Sequence, residues 1–211
     1  YFDFSAYSDM AIGLAKIFGI KLPFNFNSPY KSSSIINFWR NWHITLSSFL
    51  KNYLYIPLGG SKTPILRKNI NLSFTMLLGG LWHGAGLNFI LWGLIHGVGL
   101  IINHYNKNYF QIKINKYISI FCTFNFVSIA WIFFRADNID KGINIFTHLF
   151  IINDFTPKIF RVDNLDRWLT LFILSLIIVF FCPNSNRFYE KYIRKIRIIK
   201  YILVLLLIIS I

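Results

Sequence analysis

The chain has 211 residues, of which 55% are hydrophobic and 19% aromatic, while only 14% are charged. A water-solvated domain carries about 25% charged residues, so this composition excludes an ordinary soluble globule and suits a chain solvated by lipid. The 22 Lys and Arg against 8 Asp and Glu give a net charge of +14, but these basic residues sit between apolar runs, which the basic bias of cytoplasmic loops explains without a nucleic-acid partner.

Residues 1–20 mix apolar side chains with Asp3, Asp9 and Lys16, and Ser5, Tyr7 and Ser8 add a polar stripe. An acid in an apolar segment is costly unless it lines a cavity or meets a base such as Lys16; the sequence leaves both open. Residues 21–69 hold seven Lys or Arg and no acid, which predicts a cytoplasmic segment. Within it, residues 32–55 place Trp39, Trp42, Leu46, Phe49, Leu50 and Tyr53 at helical spacing, with Arg40, Asn41, Ser47, Lys51 and Asn52 between them. That pattern predicts an amphipathic helix lying in the membrane interface. Ser32, Ser33 and Ser34 can cap its start, and Pro57 with Gly59-Gly60 closes it.

Lys68 and Lys107 bracket 38 uncharged residues. Both flanks are basic, so the 69–106 stretch must enter the membrane and return to the same side. Two full spans need about 40 residues, so a transmembrane hairpin or a re-entrant turn is expected. Gly79, Gly80, Gly84 and Gly86 supply the bend and allow close helix packing. Further transmembrane segments are predicted at 117–134, 165–182 and 201–211. The last is cut short, because eleven residues cannot cross a core that needs about 20. Loop charges put 105–116 and 183–200 on the cytoplasmic side and 135–164 outside. The expected fold is an all-α polytopic membrane protein, with one membrane domain over 1–211, cut at both ends from a longer protein.

Few residues in this apolar chain can carry chemistry. His83 lies deep in the uncharged stretch, where an ionisable group either faces a cavity or hydrogen-bonds a neighbouring helix. An imidazole titrates near neutral pH and can act as a general base on a hydroxyl. His96, on the second arm, reads more readily as a packing residue, with orientation of a catalytic group as the alternative. His43 lies on the interfacial helix beside Arg40; it either contacts headgroups or meets an anionic donor at the cytoplasmic mouth. His104 and His148 read as solvated. Arg135 and Asp137 follow the aromatics at 131–134 as a membrane-exit anchor, and Asn125 suits an interhelical hydrogen bond. Cys122 and Cys182 lie in apolar runs with no partner at metal spacing, so no metal site is expected. No nucleotide-binding, zinc or serine-hydrolase motif is present.

Four strings carry a resemblance. They are YFDFSAYSDM at 1–10, PFNFNSP at 23–29, FWRNWHITLSSFLKNYLYIPLGG at 38–60 and LGGLWHGAGLNFILWGLIHG at 78–97. Together they resemble the membrane-bound O-acyltransferase family, most closely its bacterial branch that O-acetylates alginate and peptidoglycan. The likeness is strongest over 1–104, and only the C-terminal part of the family's fold is matched. The resemblance implies that His83, in Trp82-His83-Gly84, is the essential histidine and that His43 is the second polar site, so both are candidate catalytic residues. It implies no bound cofactor but an acyl thioester donor, often acetyl-CoA, reaching a tunnel from the cytoplasm. The acceptor is a hydroxyl on a polysaccharide or on a periplasmic partner enzyme. Membrane lipids surround a multi-pass protein of the bacterial inner membrane. Arg40, Trp82, Asn88 and His96 are then candidate substrate contacts, with Asn88 or the glycine-rich turn steadying an oxyanion. A transporter or flippase subunit, whose broken apolar segments carry polar residues, and a non-catalytic fragment are the alternatives.

Overall fold

The computed structural model describes residues 1–150, 165–189 and 191, and these form helices and turns without a strand. In chain order the helices are α1 (Phe2–Ile17), α2 (Ile35–Asn41), α3 (Ile44–Leu50), α4 (Ile65–His83), α5 (Leu87–Tyr105), α6 (Lys116–Arg135), α7 (Ile139–His148), α8 (Leu165–Phe181) and α9 (Ser185–Phe188). A single π-helical turn, Lys51–Tyr55, continues α3, and another, Asn106–Phe110, continues α5. Two segments are long and apolar enough to cross a membrane, Leu87–Phe110 and Lys116–Arg135, which fits a membrane protein. The helix expected at 165–182 is α8; the expected segment at 201–211 lies outside the described residues.

The centre of the fold is the pair α4 and α5. Gly80 lies against Phe89, Gly93 against Met76, and Gly97 against Ser73, so the two helices run antiparallel after the short turn at Gly84–Gly86. A Cβ on Gly80 would collide with the carbonyl oxygen of Phe89, and one on Gly93 with that of Met76. In lipid there is little hydrophobic force between helices, so contact this close, which only glycine permits, supplies the attraction. Polar side chains lock the register: Asn69 Nδ2 donates to the Tyr105 hydroxyl at 3.2 Å, and Asn71 Nδ2 ties the preceding loop to α4 through the Leu58 carbonyl at 2.8 Å.

The interfacial helix expected over 32–55 is not one helix. It breaks after Asn41: Trp42 is extended and His43 takes a left-handed conformation, φ 42° and ψ 55°. Nor does its first half lie on a surface. Ile35, Phe38, Trp39 and Trp42 are buried and form the core with Trp92, Leu100, Val127, Ala130 and Phe133. Trp39 and Trp42 of the expected stripe pack on the protein rings of Trp92 and Trp131, whereas Phe49 and Tyr53 of its second half stay exposed. Hydrogen bonds fix α2 at both ends. Ser34 caps its start by accepting from the Asn37 N–H at 3.1 Å, and Asn103 of α5 accepts from the Ile35 N–H at 2.6 Å. At the break, residues 25–27 restore the lost backbone bonds: the Ile44 N–H donates to the Asn25 carbonyl and the Asn27 N–H to the Asn41 carbonyl.

Outer elements are tied on by single polar contacts. Lys31 Nζ donates to the Cys182 carbonyl at the end of α8 at 2.7 Å, a cation at a helix C-terminus. Asp9 accepts from the Ser185 hydroxyl at 2.6 Å, and Lys16 lies over the Tyr189 ring, so these two do not pair with each other. Asn125 bonds the Phe121 carbonyl of its own helix rather than another helix.

Candidate active site

His83 is the last residue of α4, where the chain leaves the helix at Gly84. The helix end holds its imidazole half-buried among aromatic rings, with Trp92 at 5.4 Å and Phe134 at 4.9 Å between ring centroids, both edge-on. Among the described residues no hydrogen bond reaches this imidazole, so both nitrogens are available to a substrate.

His43 faces the same space from the break between α2 and α3. A left-handed residue other than glycine costs about 1 kcal/mol or more, and such strain gathers at functional sites. The strain is held by Asn25. Its Oδ1 accepts from the Thr45 backbone N–H at 3.3 Å and the Thr45 hydroxyl at 3.0 Å, and it stands 3.1 Å from His43 Nδ1. A backbone N–H can only donate, so this atom is the carbonyl oxygen, and His43 Nδ1 must carry the hydrogen. Its Nε2 is therefore the lone-pair nitrogen. Asn25 Nδ2 in turn donates to the Ser8 hydroxyl at 3.3 Å, and Ser8 donates to the Phe4 carbonyl at 2.9 Å, which anchors the group to α1. Burial first, and the neighbouring His83 second, push the His43 imidazole down to about 4.

The two histidines line one cavity of about 550 Å³. Its other walls are Tyr1 and Phe4 of the first segment, Tyr30, Trp42, Trp82, Trp92, and Trp131, Phe134 and Arg135 at the end of α6. Trp82 is 64% exposed and reaches His43 edge-on at 6.3 Å, so it bridges the two histidines at the rim. Burial pushes the Tyr30 hydroxyl up to about 12, which keeps it protonated as a hydrogen-bond donor. A mostly aromatic hollow with two imidazoles can seat a small apolar group.

The other expected contacts lie elsewhere. Asn88 is buried, and its amide donates to the Ala136 carbonyl at 2.9 Å and more weakly to that of Phe133; its donors close the end of α6 and leave none for an oxyanion. His96 is 0% exposed; its Nδ1 accepts from the Trp39 indole at 3.2 Å, which makes it a packing histidine behind the Trp92 wall. Arg40 and His43 do not share a mouth. Arg40 lines two other cavities, one with Lys107 and Lys113 and one with Lys51 and His104, because the break at Trp42-His43 turns the chain between them.

Sequence reasoning also missed residues. Asn25 lies within PFNFNSP, and its position before a helix break could have marked it as a side-chain tether. Trp131 and Arg135 read only as part of a membrane-exit anchor and Tyr30 gave no signal, because only folding brings them beside His83.

A family model described as MBOAT, membrane-bound O-acyltransferase family, matches residues 1–139. The chain is 51% identical over 148 residues to the Peptidoglycan O-acetyltransferase of Helicobacter pylori, an alignment covering 69% of this chain and 28% of that protein. It is 46% identical over 156 residues to the Probable alginate O-acetylase AlgI of Azotobacter vinelandii, covering 74% of this chain and 31% of the relative. More distant is the Teichoic acid D-alanyltransferase of Bacillus subtilis, at 32% identity over 150 residues, covering 64% and 38%. The aligned region thus spans about a third of the length of these relatives.

Proposed function

Because the chain belongs to the membrane-bound O-acyltransferase family, we propose that it carries the histidine centre of an enzyme that moves an acyl group, acetyl by preference, from a thioester to a hydroxyl of the bacterial cell envelope. The observation that carries this reading is the shared cavity: His83 without an internal hydrogen bond, and His43 with its tautomer fixed. The relatives named above act on peptidoglycan, alginate and teichoic acid, which supports an envelope polysaccharide as the acceptor class. The acceptor hydroxyl belongs to that polymer or to a periplasmic partner that passes the acyl group on. The setting is a multi-pass protein of the inner membrane, with acetyl-CoA or another acyl thioester arriving from the cytoplasmic side.

In the reaction, His83 takes the proton of the acceptor hydroxyl as its oxygen bonds to the thioester carbonyl carbon. The C–S bond then breaks, and the departing sulfur receives the proton from His83. His43 Nε2, a lone-pair acceptor, orients the hydroxyl or an N–H of the donor. The aromatic walls seat the acyl group and keep water from competing as acceptor.

The test is His83→Ala in the complete protein, expressed in its own membrane. Loss of envelope O-acylation at normal protein level is the expected result. Unchanged O-acylation would remove His83 from the chemistry and the reading with it.

A further inference from the structure

Between Asp9 and Asp137 the chain holds no acid at all, yet twelve Lys and Arg fall in that interval. Among the described residues the one salt bridge is Lys141 to Asp137, outside it. Among these cations Lys31 bonds the Cys182 carbonyl, Lys16 lies over the Tyr189 ring and Arg135 lines the histidine cavity. Three others lie together. Arg40 at the end of α2, Lys107 in the π-turn after α5, and Lys113 before α6 line a single cavity of about 580 Å³.

The chain is built to bring Lys107 and Lys113 together. Asn106 Oδ1 accepts from the Ile112 N–H at 3.1 Å, and its Nδ2 donates to the Ile112 carbonyl at 3.4 Å. Gln111, in a left-handed conformation, reverses the chain between them. This clamp turns the corner back on itself, so that two lysines six residues apart meet at one hollow. Like charges placed together repel, and an anion that joins them relieves the repulsion. Asn37 and Ser119 add neutral polar groups to the same wall.

The hollow also has a mainly apolar annex. A second cavity of about 350 Å³ shares Ile36 and Arg40 with it; Trp39, Leu72, Met76 and Leu100 stand in its wall, and Lys51 and His104 line it as well. Arg40 therefore stands where a cationic chamber meets a mainly apolar one. A ligand that fills both is amphipathic: an anionic head joined to an uncharged arm. Three separate donors suit the several oxygens of a phosphate better than the two of a carboxylate, and a planar guanidinium meets phosphate oxygens in pairs.

We propose that the cavity formed by Arg40, Lys107 and Lys113 binds the phosphate of an amphipathic phosphate ester, with the ester's uncharged arm in the adjoining apolar cavity. Two sources share this chemistry: the phosphates of the thioester donor, which rests on the acyl-transfer reading, and the headgroup of an anionic phospholipid. The site lies apart from the His43–His83 cavity and shares no lining residue with it.

The test uses the complete protein in phosphatidylcholine nanodiscs with and without phosphatidylglycerol, and the Lys107→Gln/Lys113→Gln variant, which changes two exposed side chains. Coenzyme A binding, pantetheine binding and retained phosphatidylglycerol are measured for both. Removing two charged partners should weaken the phosphate ligand about tenfold or more, while pantetheine is unaffected and the Lys107→Arg/Lys113→Arg variant binds as the wild type does. A loss confined to coenzyme A assigns the site to the donor; a loss confined to phosphatidylglycerol assigns it to the lipid. Unchanged binding of both overturns the proposal. So does a lower melting temperature with unchanged binding, which would pair the lysines with carboxylates of the remaining protein. Binding is read without turnover, so a negative result leaves the His83 experiment standing.

Discussion

Asn25 fixes the proton of His43. Its side-chain oxygen is identified by the Thr45 N–H that it accepts, and at 3.1 Å from Nδ1 it leaves His43 a single tautomer, with the lone pair on Nε2. Asn25→Ala should therefore release both the ring and the strained backbone at His43. A part-buried hydrogen bond of this kind contributes about 1 kcal/mol, so acyl transfer should fall roughly fivefold to tenfold at normal protein level. Turnover by Asn25→Ala equal to the wild type would show that the tautomer does not matter.

Acid should loosen the same region. His43 titrates at about 4 in the fold against 6.5 outside it, lowered first by burial. The unfolded chain binds the proton more readily, so the stability tied to neutral His43 is present above about 6.5 and is lost as the pH falls towards 4. Melting temperatures of the complete protein, measured from pH 7.5 down to 4.5, should fall in that window, and His43→Asn should flatten the fall. Parallel curves for the two proteins would exclude His43 as the titrating group.

The α4–α5 contact should tolerate no side chain at its closest points. Gly80→Ala and Gly93→Ala each drive a methyl group into a backbone carbonyl that cannot move alone. Gly13→Ala meets nothing nearby and serves as the control. Both close-contact variants should cost a few kcal/mol, as overpacking does, and lower the amount of folded protein in membranes, while Gly13→Ala does not. Normal folding of Gly93→Ala would mean that the helices lie farther apart.

His96 should behave as a packing residue. His96→Phe removes the acceptor of the buried Trp39 indole, at a cost of about 1–3 kcal/mol. Adding Trp39→Phe removes the stranded donor and should recover part of the loss, which a double-mutant cycle in thermal denaturation detects. If His96→Phe kept its stability but lost acyl transfer, His96 would belong to the chemistry.

Much of this architecture could be read from one sequence. The uncharged run at 117–134 became α6 within a residue of its expected ends, because charge and hydropathy act on each residue by itself. Ser34 capped α2 for an equally local reason. The first half of the stripe at 32–55 misled, since a buried helix surrounded by aromatic protein has the same periodicity as one lying in an interface; Phe49 and Tyr53 of the second half are exposed. The partner of Asn88 was not legible, because an amide offers the same donors to an oxyanion and to the Ala136 carbonyl that it bonds here; only the partner's position separates them.

Composition and order alone determined that this chain is lipid-solvated, helical and bent at its glycines, and the motif strings around His83 marked the residue. The sequence could not decide the company that residue keeps. The break at His43 depends on Asn25, eighteen residues earlier, and it sends His43 to one cavity and Arg40 to others although only two residues separate them. Periodicity is a property of neighbours along the chain, whereas a cavity is made where distant segments fail to fill space. That is why the histidine could be found in the sequence and the site only in the fold.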